Sequence, residues 1–78
     1  MRIISEDGLR DVPYELVALY IDGEQLAAML PSGDCAFQLS HPETPRQAQH
    51  AIDRITEAYQ SGAKVVWMDR IMEEVRDE

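Results

Sequence analysis

Seventy-eight residues predict one domain, spanning 1–78, close to the smallest size at which a chain buries a core of its own, so help from oligomerisation is expected. Apolar residues make up 45% and charged residues 28%, and fifteen acidic against seven basic side chains give a net charge of −8. That balance argues against a nucleic-acid binder, which needs Lys and Arg to displace phosphate counterions, and against docking on anionic membranes.

Met1 to Ser5 reads as a short apolar strand, without the longer apolar run of a signal peptide. No later stretch approaches the ~20 apolar residues of a membrane span. Asp7-Gly8 signals a type I′ hairpin turn, in which both central residues take positive φ. Two central residues there set Glu6 opposite Leu9, Ile3 opposite Val12 and Met1 opposite Tyr14. Pro13 has no N–H to give to a ladder, so the second strand belongs at an edge or bends. The Val12-Pro13-Tyr14-Glu15 step then turns the chain into the strongest predicted strand, Glu15 to Ile21.

Asp22-Gly23 predicts another tight hairpin, with Ile21 opposite Glu24, Leu19 opposite Leu26 and Val17 opposite Ala28. Pro31-Ser32-Gly33-Asp34 is a four-residue turn that sets Leu30 opposite Cys35, Ala28 opposite Phe37 and Leu26 opposite Leu39. Both registers place Val17, Leu19, Ile21, Leu26, Ala28, Leu30, Cys35, Phe37 and Leu39 on one face, which is the expected core. The other face carries Leu16, Ala18, Tyr20, Ala27, Met29 and Ala36, with Gln25, Gln38 and Ser40 at its margins. An antiparallel sheet with one face in water alternates to polar there, and this one does not. Something else is therefore expected over it: the C-terminal segment, a curling of the sheet, or a second chain.

The best-marked element follows. Thr44 can cap a helix that begins at Pro45, and Gln47 completes a capping box. Ala48, Ala51, Ile52, Ile55, Ala58 and Tyr59 then fall at helical spacing on one face, until Ser61-Gly62 stops the helix. Val65 to Met68 reads as a further strand on a sheet edge. Arg70 to Glu78 reads as a short helix, with a frayed acidic tail as the alternative. The fold class expected is α+β: an antiparallel sheet of about four to six short strands in hairpins, one long amphipathic helix on one face, and a short C-terminal strand and helix.

Chemistry is sparse. Cys35 is the one cysteine, which excludes an intramolecular disulfide and suits a reducing, cytoplasmic compartment. A Cys35–His41–Asp34 nucleophile set is conceivable, but the register points Cys35 into the core as a small hydrophobe. His41 and His50 lack a metal-ligand spacing, and neither Asp-Gly turn has the alternating oxygens of a calcium loop. No phosphate loop or nucleophile elbow is present. No catalytic residue, cofactor or metal is therefore expected. Glu73, Glu74, Asp77 and Glu78 read as a solvated helix end. Trp67 fits either a core or an interface near an edge, where Trp is favoured.

Ile3-Ile4-Ser5-Glu6-Asp7-Gly8 followed by Val12-Pro13-Tyr14-Glu15 resembles the opening of a group of short uncharacterised proteins. These are encoded in phages, prophages and related mobile elements of Gram-positive bacteria. They start with a similar Ser-Gln-Asp-Gly turn and a Pro-Tyr-Glu step, and their alanine-faced helix is similar to Thr44–Tyr59. Glu6 stands where they have glutamine, and Asp69 where they often have proline. The resemblance implies a genetic setting and no site residue.

The function expected is a non-catalytic protein-interaction or self-association module, with itself or another protein as partner and a homodimer as one form. Its candidate surface is Leu16, Tyr20, Met29, Trp67 and Ile71. An acidic inhibitor or decoy for a basic host or phage protein is the alternative, and a small enzyme the third reading.

Overall fold

The computed structural model describes residues 1–33 and 36–77. Strands β1 (Arg2–Ile4) and β2 (Asp11–Pro13) form the first hairpin with Ile3 opposite Val12, as the sequence predicts. The turn itself is longer than the expected two residues. The ladder still holds Ser5 to Arg10 at 2.9 Å, and the Gly8 N–H closes a β-turn on the Ser5 carbonyl, also at 2.9 Å. Only Gly8 takes positive φ, +77°; a type I′ turn would force Asp7 there as well. Asp7 instead accepts hydrogen bonds from the Ser5 hydroxyl at 2.5 Å and the Leu9 N–H at 2.9 Å. The longer loop has the same centre as the shorter one, so the strand alignment survives.

Pro13 divides the β-rich half of the chain. Past it comes a single 3-10 turn, Tyr14–Leu16, where a strand from Glu15 was expected. The Tyr14 N–H donates to the Met1 carbonyl at 2.8 Å, and the Glu15 carboxylate accepts from the Met1 ammonium at 2.7 Å. These bonds tie the turn back to the start of β1. Only then does β3 (Ala18–Asp22) begin, and it opens a second sheet with β4 (Gln25–Met29) and β5 (Ala36–Ser40).

Two expected registers need correction. Asp22 pairs with Gln25, so the β3–β4 turn is centred on Gly23-Glu24, and Leu19 faces Ala28 while Ile21 faces Leu26. Gly23 at φ +61° supplies the one positive φ, whereas an Asp22-Gly23 centre would need it from Asp22 too. The slip is two residues, an even number, so no side chain changes face. Between β4 and β5, Ala28 faces Phe37 as expected, but Leu26 faces Ser40 in place of Leu39. Leu39 is the extra residue of a bulge, and both it and Ser40 are buried. The expected Leu30–Cys35 pair and the inward Cys35 lie outside the described residues.

Helix α1 (Pro45–Gln60) keeps its predicted span, but the expected capping box is only half formed. The Gln47 N–H donates to Thr44 Oγ1 at 3.1 Å, while Gln47 Oε1 accepts from the N–H of Glu43, one residue before the cap, at 2.8 Å. At the other end Gly62 (φ +85°) donates to Tyr59 and Ala63 to Ala58, the paired bonds of a Schellman stop. Ala48, Ala51 and Ile55 are buried and Ile52 and Ala58 half-buried, whereas Tyr59, expected on the same covered face, is exposed, its ring tilted against Tyr14 with centroids 4.6 Å apart.

Strand β6 (Val65–Trp67) then joins the free side of β1, in parallel, giving the order β2-β1-β6. Met68, expected in that strand, starts helix α2 (Met68–Arg76). The architecture is therefore two three-stranded sheets and two helices about one core, in place of one sheet under one long helix. Ile3, Val12 and Val66 enter that core from the first sheet, Leu26, Ala28 and Leu39 from the second, Ala51 and Ile55 from α1, and Met68, Met72 and Val75 from α2.

Candidate interaction surface

Side chains alternate across the second sheet, so the register fixes which residues share its outer face. One row runs Ala18, Met29, Ala36 and the next Tyr20, Ala27, Gln38. Tyr20 and Met29 are diagonal neighbours on it, a spacing of ~7–8 Å. Both are half-buried, Ala18 and Ala36 are exposed, and Ala27 in the central strand is covered. None of these residues belongs to the core cluster, whereas Leu19 and Phe37, on the opposite face, pack against it. The separation of faces follows from the period of two, which the even register slip left intact.

The other candidate residues stand elsewhere. Leu16 is 61% exposed, but it sits in the 3-10 turn and not on the sheet face, because Pro13 delays the strand. Trp67 is 46% exposed on β6 in the first sheet, with the Arg70 guanidinium 5.9 Å from its ring centre. Ile71 is half-buried and packs against the core. The five candidates thus divide: Tyr20 and Met29 share a face, Leu16 precedes their sheet, and Trp67 and Ile71 belong to the first sheet and α2.

The second sheet also presents an edge. Strand β3 pairs with β4 alone. Its turn closes with the Asp22–Gln25 pair, so by antiparallel alternation Asp22, Tyr20 and Ala18 bond inward to β4. Leu19 and Ile21 then turn their N–H and C=O groups to the free side, and no bond from outside the ladder reaches them among the described residues. Ile21 is 39% exposed.

Two depressions border the sheets, and the first reaches the outer face at Gln38. A cleft of about 480 Å³ is lined by Glu6, Asp7, Arg10, Gln38, Leu39, Ser40, His41 and Arg76. Across it the Arg76 guanidinium donates to both Glu6 oxygens, at 2.6 and 3.1 Å, and to the His41 carbonyl at 3.1 Å, which joins the first loop, the residue after β5 and the end of α2. The Glu6 carboxylate raises the Arg76 pKa further above its ordinary value. Ser40 Oγ is buried with no hydrogen-bond partner among the described residues. An apolar groove of about 460 Å³ beside Leu9, Val12, Pro13, Leu30 and Phe37 escaped the sequence reading; Leu9, 82% exposed, was its visible sign.

His50 lies with Asp53, Arg54 and Glu57 in a separate shallow depression, so the two histidines line different places. The Asp34–Cys35 part of the nucleophile set lies outside the described residues. Among the described residues no group of three or more His, Cys, Asp and Glu side chains is placed to hold a metal ion, and no helix is long and apolar enough to cross a membrane. No protein-family model, curated protein sequence or solved structure matches this chain.

Proposed function

We propose that this chain is a non-catalytic protein-interaction module that self-associates through its second sheet, with a homodimer as the simplest closed form. The observation that carries the reading is the outer side of that sheet, where Ala18, Tyr20, Met29 and Ala36 form a continuous apolar surface outside the core cluster. The small size of the chain adds to it, since a second copy supplies burial that 78 residues provide sparingly. The charge of −8 favours a protein partner over nucleic acid or an anionic membrane. The resemblance of the Ser5–Gly8 and Pro13–Glu15 segments to mobile-element proteins points to a phage or prophage setting, and the lone Cys35 suits a reducing, cytoplasmic compartment. Sedimentation equilibrium at roughly 100 µM tests the reading, because an interface of modest size holds at micromolar concentration. A concentration-dependent rise toward twice the monomer mass is expected; a constant monomer mass overturns the proposal.

A further inference from the structure

Where the first hairpin meets the second sheet, the apolar groove takes Leu9, Val12 and Pro13 from one side and Leu30 and Phe37 from the other. Leu9 owes its place to the length of its turn. A two-residue turn would set it in the ladder opposite Glu6, whereas the ladder ends at Ser5 and Arg10 and leaves Leu9 in the loop, 82% exposed. Arg10 lines both this groove and the cleft that holds Glu6, Asp7 and Arg76, so two depressions of about 460 and 480 Å³ adjoin at its side chain. Each has the size of a small-molecule site, roughly 300–1,000 Å³.

The charges around this junction leave one group uncommitted. Glu6 accepts two bonds from Arg76, Asp7 accepts from the Ser5 hydroxyl and the Leu9 N–H, and Asp11 accepts from Arg2. The Arg10 backbone is fixed, its N–H donating to Ser5 Oγ at 3.0 Å and its carbonyl accepting from the Ser5 N–H at 2.9 Å. Its guanidinium donates to no acceptor among the described residues, and Asp7 feels its charge without bonding it. A cation arriving here finds the carboxylates already bonded, while a carboxylate finds a planar fork of N–H donors.

We propose that the groove and Arg10 together bind an amphipathic monocarboxylate, a small molecule with a medium-length alkyl chain in the groove and its carboxylate on the Arg10 guanidinium. The site goes beyond the self-association reading and uses neither Tyr20 nor Met29, so the two stand or fall separately. A different observation assigns each half of the ligand. Exposed Leu9, half-buried Leu30 and Phe37 and the ring of Pro13 take methylene groups out of water, which drives binding. Arg10 chooses the head group, because its fork matches a carboxylate with two parallel bonds. The charge of −8 repels a multiply charged anion or an anionic membrane surface far more than it repels one carboxylate. A polypeptide C-terminus offers the same carboxylate beside an apolar side chain, but its backbone also needs hydrogen-bond partners, and Pro13 has no N–H to give.

Octanoate titrated into the full chain, followed by amide chemical shifts, tests the proposal, with 1-octanol and octylammonium as probes of equal chain length. Saturable shifts at Leu9 to Val12 and at Phe37 are expected, with octanoate binding more tightly than either of the others. Arg10→Gln is expected to weaken octanoate about tenfold, the loss of a charge-assisted pair, and to leave 1-octanol unchanged. Leu9→Ser is expected to weaken both. If either variant perturbs the fold, the order of the three probes on the wild-type chain decides alone. Equal or tighter binding of 1-octanol or octylammonium overturns the role of Arg10. Absence of a saturable shift at the groove amides overturns the site, and binding of acetyl-Gly-Gly-Leu without binding of octanoate overturns the small-molecule assignment.

Discussion

The Asp7 carboxylate is held below the usual carboxylate range, first by the Ser5 hydroxyl and then by the Leu9 N–H, with the nearby Arg10 charge adding a smaller pull. A pKa depressed in the folded state means that the group stabilises folding at pH above its unfolded value. That contribution is lost as pH falls through the lower, folded value. Asp7→Asn is therefore expected to lower the urea midpoint at neutral pH and to flatten the decline in stability as pH falls through and below the ordinary carboxylate range. A variant whose acid limb keeps the wild-type slope would show that the loop draws nothing from this carboxylate. Ser40 is the opposite case. Its hydroxyl is buried beside the bulge without a partner among the described residues, and a buried polar group without a hydrogen bond costs free energy. Ser40→Ala is expected to raise stability by about 1 kcal/mol, read from equilibrium urea unfolding. A loss of stability would mean that the hydroxyl has a bonding partner in solution.

Helix α2 carries more of the fold than its position at the end of the chain suggests. Met68, Met72 and Val75 are each fully buried, and the helix packs on α1, β5 and β6. Met72→Ala is expected to destabilise the domain by about 3 kcal/mol, the range of a large-to-small change in a core. A frayed tail would leave the change within about 0.5 kcal/mol, so chemical denaturation distinguishes the two. The Ile71, Met72 and Val75 spacing announces this helix, but periodicity alone does not say what the stripe faces. The span of helix α1 was legible, because its cap at Thr44 and its stop at Gly62 are local signals, while the Gln47 bond to Glu43 and the exposure of Tyr59 were not. The hairpins were legible by parity and not by exact register. Tyr20 and Met29 share a face whichever residues form the Asp22-Gly23-Glu24 turn, whereas the pairing partner depends on which single residue takes positive φ. The Leu39 bulge has no sequence marker, since no Gly or Pro stands at it. Leu16 was misplaced because the break imposed by Pro13 continues through a whole turn before β3 begins.

At the scale of the molecule, what the sequence could not show is what joins distant segments. Strand β6 lies parallel to β1 from the far end of the chain, and Arg76 reaches Glu6 in the first loop. Neither pairing has a local signature, which is why one sheet was expected where two exist. The same scale governs how copies meet. Each copy carries a charge of −8, so two copies repel through solvent, while Ala18, Tyr20, Met29 and Ala36 bring no charge to the outer face of the second sheet. Screening removes the first effect and leaves the second, since the Debye length falls from ~10 Å at 0.1 M salt to ~3 Å at 1 M. Dimerisation is therefore expected to tighten by roughly three- to tenfold between about 0.05 and 0.5 M sodium chloride, measured by sedimentation equilibrium. An acidic decoy that grips a basic partner behaves in the reverse sense, because salt weakens an attraction between opposite charges. Self-association that loosens as salt rises would mean that ion pairs hold the copies together. The apolar outer face would then yield its place to a surface carrying arginine or lysine.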